Sequence, residues 1–233
     1  MAGQLETLAT ALPGTVVSFA AGMYHYVAVL DNGDVYGWGR ARNGQLGKTD
    51  EKCHTTPIHI KDVPFKAQRV TCGQYFTYIV GDSKSGDHLL LGDDKHGIKS
   101  KKPHAVMGWK DIGATWNAVF VLYNDGSLSA WGKSDLWQLV PVGLPKLAQI
   151  AVGSDHILAV TADNRVLSWG WAVHGNCGDT RNLKIPLEKG YVSGQYNHVE
   201  CGDGVVQMVA AGYSTSFILT SETDYDEGIN SQH

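Results

Sequence analysis

Residues 169–179, WGWAVHGNCGD, place His174 three positions before Cys177, among two tryptophans and three glycines. An H-x-x-C pair could form half of a zinc site, and a thiol beside an imidazole could act as a nucleophile. Zinc takes four such ligands, and no second closely spaced pair occurs: Cys53, Cys72, Cys177 and Cys201 are scattered without a C-x-x-C. A nucleophilic cysteine needs a base and a lowered pKa, and nothing nearby in the sequence establishes either. Ser154, Asp155 and His156 are the residue types of a hydrolase triad, but neighbours along a strand point to opposite faces. The glycine-rich run GDSKSGDHLLLG at 81–92 lacks the G-x-x-x-x-G-K-[ST] spacing of a phosphate loop and reads as a hairpin tip. The expectation is a protein with no catalytic residue, no metal ligand and no cofactor, and so not an enzyme.

Composition bounds the alternatives. Nineteen basic residues against 23 acidic ones give a net charge of −4, which argues against a nucleic-acid surface. The first dozen residues have no basic start or long apolar run, so no secretory leader is read. No stretch reaches the roughly 18 apolar residues of a membrane helix. Unpaired, scattered cysteines suit reduced thiols. The 28 glycines, outside any low-complexity tract, imply many tight turns.

Those turns recur. SFAAGMYHYVAVLDNGDVYGWGRARNGQLG, RVTCGQYFTYIVGDSKSGDHLLLGDDKHGIKS, KDIGATWNAVFVLYNDGSLSAWGKSDLWQL and QIAVGSDHILAVTADNRVLSWGWAVHGNCGD share one layout, and QMVAAGYSTSFILTS repeats its first half. One anchor glycine falls at Gly22, Gly73, Gly153 and Gly212, with Ala114 in its place in the third unit. A second follows at Gly39, Gly92, Gly132 and Gly170, preceded by Trp38, Leu91, Trp131 and Trp169. Apolar runs such as Tyr26 to Leu30 precede DNG or NDG turns and then alternating runs such as DVYGWG, which is the pattern of hairpins. A period of 3.6 is suggested only at Leu5 to Leu12. Hairpin repeats of ~40–50 residues predict an all-β propeller, in which each small sheet is covered by its neighbours.

The residues AGMYH and VGSDH, then DNGDVYGWG and NGQLG, resemble the repeat of the regulator of chromosome condensation family, over about residues 16–221. That resemblance implies a seven-bladed β-propeller. Seven units of roughly 50 residues need about 350 residues, and this chain offers about four and a half repeats. An incomplete or short ring lacking N-terminal blades is therefore expected, with 1–15 as an N-terminal segment and 222–233 as an acidic, disordered tail. A narrower resemblance, carried by VLSWGWAVHGNCGD, is to the fungal killer-toxin-insensitivity or α-tubulin suppressor branch of the family. It implies a scaffold that binds a small zinc-containing diphthamide biosynthesis protein, and through it the Elongator tRNA-modification pathway, in cytoplasm and nucleus. The alternative from the family's name-giving member is nucleotide exchange on a small GTPase.

Roles follow for particular residues. Gly22, Trp38, Gly39, Trp131, Gly132, Gly153, Trp169, Gly170 and Gly212 are read as repeat-structural, and His25 and His156 as structural histidines bonded to an adjacent blade. The segments 40–67 and 171–205 read as long interblade loops, the places where a rigid ring binds partners. Trp137, Trp171, His174, Tyr191 and Tyr196 are the candidate partner contacts, because hot spots favour large aromatic side chains. The basic run KHGIKSKKPH at 95–104 reads as a solvated loop.

Overall fold

The structure is a computed structural model that describes residues 12–202 and 204–221. Nearly all of the Leu5 to Leu12 pattern and the whole 222–233 tail therefore lie outside the described residues. Within them, strands pair into five antiparallel sheets, one per repeat. The first blade holds β1 (Val16–Ala21), β2 (His25–Leu30), β3 (Val35–Arg40) and β4 (Cys53–His59). The second holds β5 (Arg69–Cys72), β6 (Phe76–Val80) and β7 (His88–Gly92). The third holds β8 (Trp109–Ala114), β9 (Ala118–Tyr123) and β10 (Leu128–Gly132). The fourth holds β11 (Leu147–Val152), β12 (His156–Thr161), β13 (Val166–Trp171) and β14 (Tyr191–Val199), and the fifth holds β15 (Val205–Gly212) and β16 (Thr215–Ser221).

Strand order within each blade follows chain order, and the first strands β1, β5, β8, β11 and β15 lie side by side around a shared axis. They line a central opening of about 450 Å³ with small residues such as Ala20, Thr71, Gly113, Ala151 and Ala210. The all-β propeller arc of four blades and a half is what the repeats predict. The two segments expected to be long loops are different: each contains the fourth strand of its blade, β4 and β14. Their sequences, CHTTPIH and YVSGQYNHV, break the alternating pattern, and Pro57 sits in β4 where an outermost strand tolerates it.

Each second strand is apolar on both faces, and alternation sends its residues to two different neighbours. Val27 and Val29 pack with Ile79 and Leu91 of the second blade. Tyr78 and Val80 meet Val119, Val121 and Trp131, and Phe120 and Leu122 meet Ile157, Ala159 and Trp169. Leu158 and Val160 meet Val206, Val209 and Ile218 of the fifth blade. The core is thus four seams between blades. Each buried aliphatic or aromatic side chain contributes ~1.5–3 kcal/mol of transfer free energy.

The two anchor glycines have separate causes. Gly39, Gly92, Gly132 and Gly170 have φ of +95°, +111°, +127° and +98°, and a Cβ there would overlap the carbonyl oxygens of Tyr24, Tyr75, Asn117 and Asp155. Backbone conformation and backbone contact both exclude a side chain. At Gly73 the obstacle is the Phe76 ring, and at Gly22 and Gly153 it is the ring of His25 or His156 together with the carbonyl oxygen of Gly73 or Tyr213 on the next blade. The third repeat shows why, and it corrects the expected position: with Ala118 at the ring position the glycine is replaced by Thr115 rather than Ala114, and the Thr115 N–H donates to the Ala118 carbonyl as those of Gly22, Gly73 and Gly153 donate to His25, Phe76 and His156. At Gly212 the corresponding residue is Thr215, and a Cβ would meet nothing within 4 Å.

This coupling predicts a non-additive pair. Gly73→Ala alone should destabilise by ~2 kcal/mol or more, as overpacking does, whereas in a Phe76→Ala background its cost should fall by more than half. Denaturant unfolding of the four proteins of the cycle measures it.

Candidate functional site

The H-x-x-C pair is a packed corner. Cys177 is enclosed, its Sγ donates to the Trp171 carbonyl at 3.4 Å, and burial pushes its thiol up to about 12. Its own carbonyl accepts hydrogen bonds from Ser168 Oγ at 2.8 Å and Asn197 Nδ2 at 2.7 Å, tying the turn to β13 and β14. His174 is exposed and leans on the Trp171 ring, 6.3 Å between centroids. The two side chains therefore part, one inward and one outward.

The triad types part as well. Ser154 Oγ donates to the Tyr213 carbonyl at 2.8 Å, while His156 Nε2 lies 2.9 Å from Ser216 Oγ. Ser216 Oγ donates to the Asn176 carbonyl at 2.8 Å, so its lone pair accepts the proton of His156 Nε2. The first seam repeats this relay: Thr77 Oγ1 donates to the Gln45 carbonyl at 2.7 Å and accepts from His25 Nε2 at 3.0 Å. Gln45 and Asn176 sit in the matching NGQLG and HGNCG turns. Each histidine thus bonds the next blade through a hydroxyl. Burial lowers both histidines to about 4 and keeps them neutral.

The repeat tryptophans form the second kind of link. Trp131 Nε1 donates to the Ile98 carbonyl at 2.9 Å and Trp169 Nε1 to the Leu139 carbonyl at 2.8 Å, each bonding the segment that leaves the preceding blade. Trp38 is packed under Phe19 and Tyr26, with centroids 5.9 and 5.7 Å away.

Four of the five candidate contact residues come together on the fourth blade. Trp137 stacks on Phe120 at 6.2 Å and on Tyr191 at 6.1 Å, Tyr191 meets Trp171 edge-on at 5.0 Å, and Trp171 meets His174. This aromatic series runs from the seam to the surface. Trp137 and Tyr191 are buried in its inner part, a correction to their assignment as partner contacts: Trp137 is stacked with Phe120 and with Tyr191, and Tyr191 is packed by Trp137 and by Trp171 edge-on. Trp171, half-buried, and His174 form the outer end. Tyr196 stands apart beside His198, at 5.5 Å, in a groove of about 570 Å³ that also involves Asp179, Lys184 and Glu200.

Two features had no signal in the motifs. Arg40 lies against the stacked pair Tyr24 and Tyr75, 5.1 and 5.7 Å from their centroids, which are 6.2 Å apart. Asp155 is half-enclosed with its carboxyl raised to about 6 by burial, an effect that the Lys133 ammonium opposes. The basic run folds as a short 3-10 turn at Lys95–Gly97, and the Asp94 carboxylate accepts from the Lys99 and Ser100 amides.

Stacked antiparallel blades around an axis, linked by recurring histidine and tryptophan contacts, define a β-propeller arc. The chain carries regulator of chromosome condensation (RCC1) repeats: one RCC1 repeat model matches residues 32–80 and a second matches 16–45 and 147–178. It is 27% identical over 222 residues to an RCC1 repeat-containing protein of Schizosaccharomyces pombe, covering 89% of this chain and 58% of that one. It is 28% identical over 227 residues to the guanine nucleotide exchange factor SRM1 of Saccharomyces cerevisiae, covering 90% and 38%. The crystal structure of Prp20p from Saccharomyces cerevisiae superposes with a TM-score of 0.71 at 22% identity, covering 87% and 54%, and shares the fold. The chain spans about half the length of the curated relatives it matches.

The neutral histidines give a pH signature. A histidine at about 4 when folded and near 6.5 when unfolded contributes stability that is complete above pH 6.5 and is lost as pH falls towards 4. Asp155, raised to about 6, works in the opposite direction over that range, and His88, also lowered by burial, adds to the loss. The net expectation is a melting temperature that falls by several degrees between pH 6.5 and 4.5. In the His25→Gln/His156→Gln variant, which keeps a donor but does not titrate, thermal melts across this range should be nearly flat.

Proposed function

We propose that this chain is a non-enzymatic binding platform whose partner seat is the outer end of the fourth blade's aromatic series. The observation that carries this reading is the continuous stack Phe120, Trp137, Tyr191, Trp171, His174, which backs two surface groups with a buried and immobile core. Rigid aromatic anchors lose little entropy on binding and are the side chains that dominate interfaces. A separate groove on the same blade, with Tyr196 and His198, offers further surface. The sequence resemblance around VLSWGWAVHGNCGD supports a small zinc-containing diphthamide and Elongator accessory protein as the partner, in cytoplasm and nucleus. The platform would hold that protein in a fixed pose and support diphthamide synthesis and wobble-uridine modification of tRNA.

A second reading rests on the likeness to SRM1, which is named as a guanine nucleotide exchange factor. In that reading the same arc displaces nucleotide from a small GTPase.

The two separate in one comparison. Affinity capture of the tagged chain from its own cells, with mass spectrometry, should recover the small zinc protein, and its titration against Trp171→Ala/His174→Ala should show at least ~30-fold weaker binding, the scale of a hot-spot loss. Faster release of a labelled nucleotide from a recovered GTPase, with no zinc protein bound, would replace the first reading with the second.

A further inference from the structure

The first and fourth blades end in an outer fourth strand, and the second and third do not. The positions four and two residues before the second anchor glycine are held by Val35 and Gly37 in β3, His88 and Leu90 in β7, Leu128 and Ala130 in β10, and Val166 and Ser168 in β13. In the third blade the Tyr123 amide donates to the Ser127 carbonyl and the Lys133 amide to the Asn117 carbonyl, so Ser129 and Trp131 complete the ladder with β9. Alternation then turns the N–H and C=O groups of Leu128 and Ala130 away from β9, towards the outer rim.

At these positions the other three blades are covered. The Val35 carbonyl accepts from the Ile60 amide at 2.8 Å, and Gly37 pairs with Ile58 of β4. Val166 and Ser168 pair with Val199 and Asn197 of β14. In the second blade the chain's own next segment folds over β7: His88 Nε2 lies 2.9 Å from the Pro103 carbonyl, and Val106 packs with Leu90. Val35, His88, Leu90, Val166 and Ser168 are accordingly buried, whereas Leu128, Ser129 and Ala130 are half-buried. Among the described residues, the backbone groups of Leu128 and Ala130 have no partner on the rim side. From 128 to 132 the edge also carries no charge, no proline and no bulge, the devices by which edge strands avoid pairing.

We infer that β10 is a strand-addition site whose occupant is an extended segment of a partner protein, laid antiparallel along Leu128–Gly132 with an apolar side chain opposite Leu128. The first and fourth blades supply the pattern. β4 and β14 run antiparallel to the strands they cover, and Ile60 and Val199, opposite Val35 and Val166, both pack on the seam with the following blade. In such a complex the main-chain hydrogen bonds give affinity and the alternate side chains give selectivity. The third blade is internal, with packed seams on both sides. The site does not rest on the partner seat of the fourth blade, and failure of that reading leaves it intact.

Nuclear magnetic resonance of the whole chain tests it, with a blocked peptide QYNHVE, the sequence of residues 195–200 that covers β13, as the probe. Without peptide, the Leu128 and Ala130 amides should exchange with solvent far faster than those of Val166 and Ser168. Titration should shift the Leu128 and Ala130 resonances and slow their exchange. The same peptide N-methylated at the positions of Asn197 and Val199 loses the two donors that face the strand and should bind at least ~10-fold more weakly. Ala130→Pro removes an N–H that faces the rim, where an edge strand accepts proline, and should weaken binding as much. Where the tryptophan resonances show that this variant has lost the fold, the N-methylated peptide carries the comparison. Slow exchange of Leu128 and Ala130 in the chain alone would overturn the inference: protection unchanged by dilution assigns the edge to another segment of the same chain, and protection lost on dilution assigns it to a second copy. Absence of any shift at β10, or equal binding of the N-methylated peptide, would overturn it as well.

Discussion

The constraint on which this structure depends is that a blade cannot cover itself. A second strand such as HILAVT is buried at every position, so both of its faces must be packed, and a three- or four-stranded antiparallel sheet has no layer of its own to supply the cover. Stacking around an axis solves this by letting one residue in two serve the preceding seam and the other the following one. The hydrophobic effect sets the need for seams but is non-directional. What fixes their register is polar: the histidine, hydroxyl and carbonyl relay in the first and fourth seams, and the tryptophan Nε1 bonds in the second and third.

Those polar links explain the repeat motifs as chemistry. The histidine of AGMYH and VGSDH must be neutral to sit between blades, and its ring requires a glycine three residues earlier. The tryptophan of SAWG and SWG carries a buried N–H that must find an acceptor, because an unpaired buried donor costs ~1–3 kcal/mol. The turn NGQLG or HGNCG presents the carbonyl that the neighbouring hydroxyl needs. In the first and fourth repeats the histidine and the turn are thus parts of one joint with the following blade, while Trp131 and Trp169 join their blades to the preceding one.

How much was legible in the sequence follows from the same physics. Hairpin turns, anchor glycines and tryptophans repeat because each has a local cause, and they gave the propeller and its repeat count directly. The strands β4 and β14 were not legible: outermost strands face water on one edge, so their composition is that of a loop and includes Pro57, Gly194 and several polar residues. Trp137 and Tyr191 misled for a related reason. Their segments look like loops, but burial depends on which seam the loop folds over, and that is a property of the neighbouring blade rather than of the residues themselves. The clustering of Trp171 and His174 was visible as a motif, whereas the buried rings behind them became visible only once β14 was paired with β13.

Because every seam joins nearest neighbours, the stability of the arc is close to a sum of blade and interface contributions, as in other repeat architectures. The fourth blade has the most complete set: four strands, the relay to the fifth blade through His156, the bond from Trp169 to Leu139, and the aromatic stack over Phe120. A surface group attached there moves with two seams at once. The first and fifth blades each have one internal seam among the described residues and are the most easily opened parts of the arc. A binding seat on the fourth blade is therefore insulated from events at the open ends, and an additional blade docked at an end would stabilise that end without altering the geometry of Trp171 and His174.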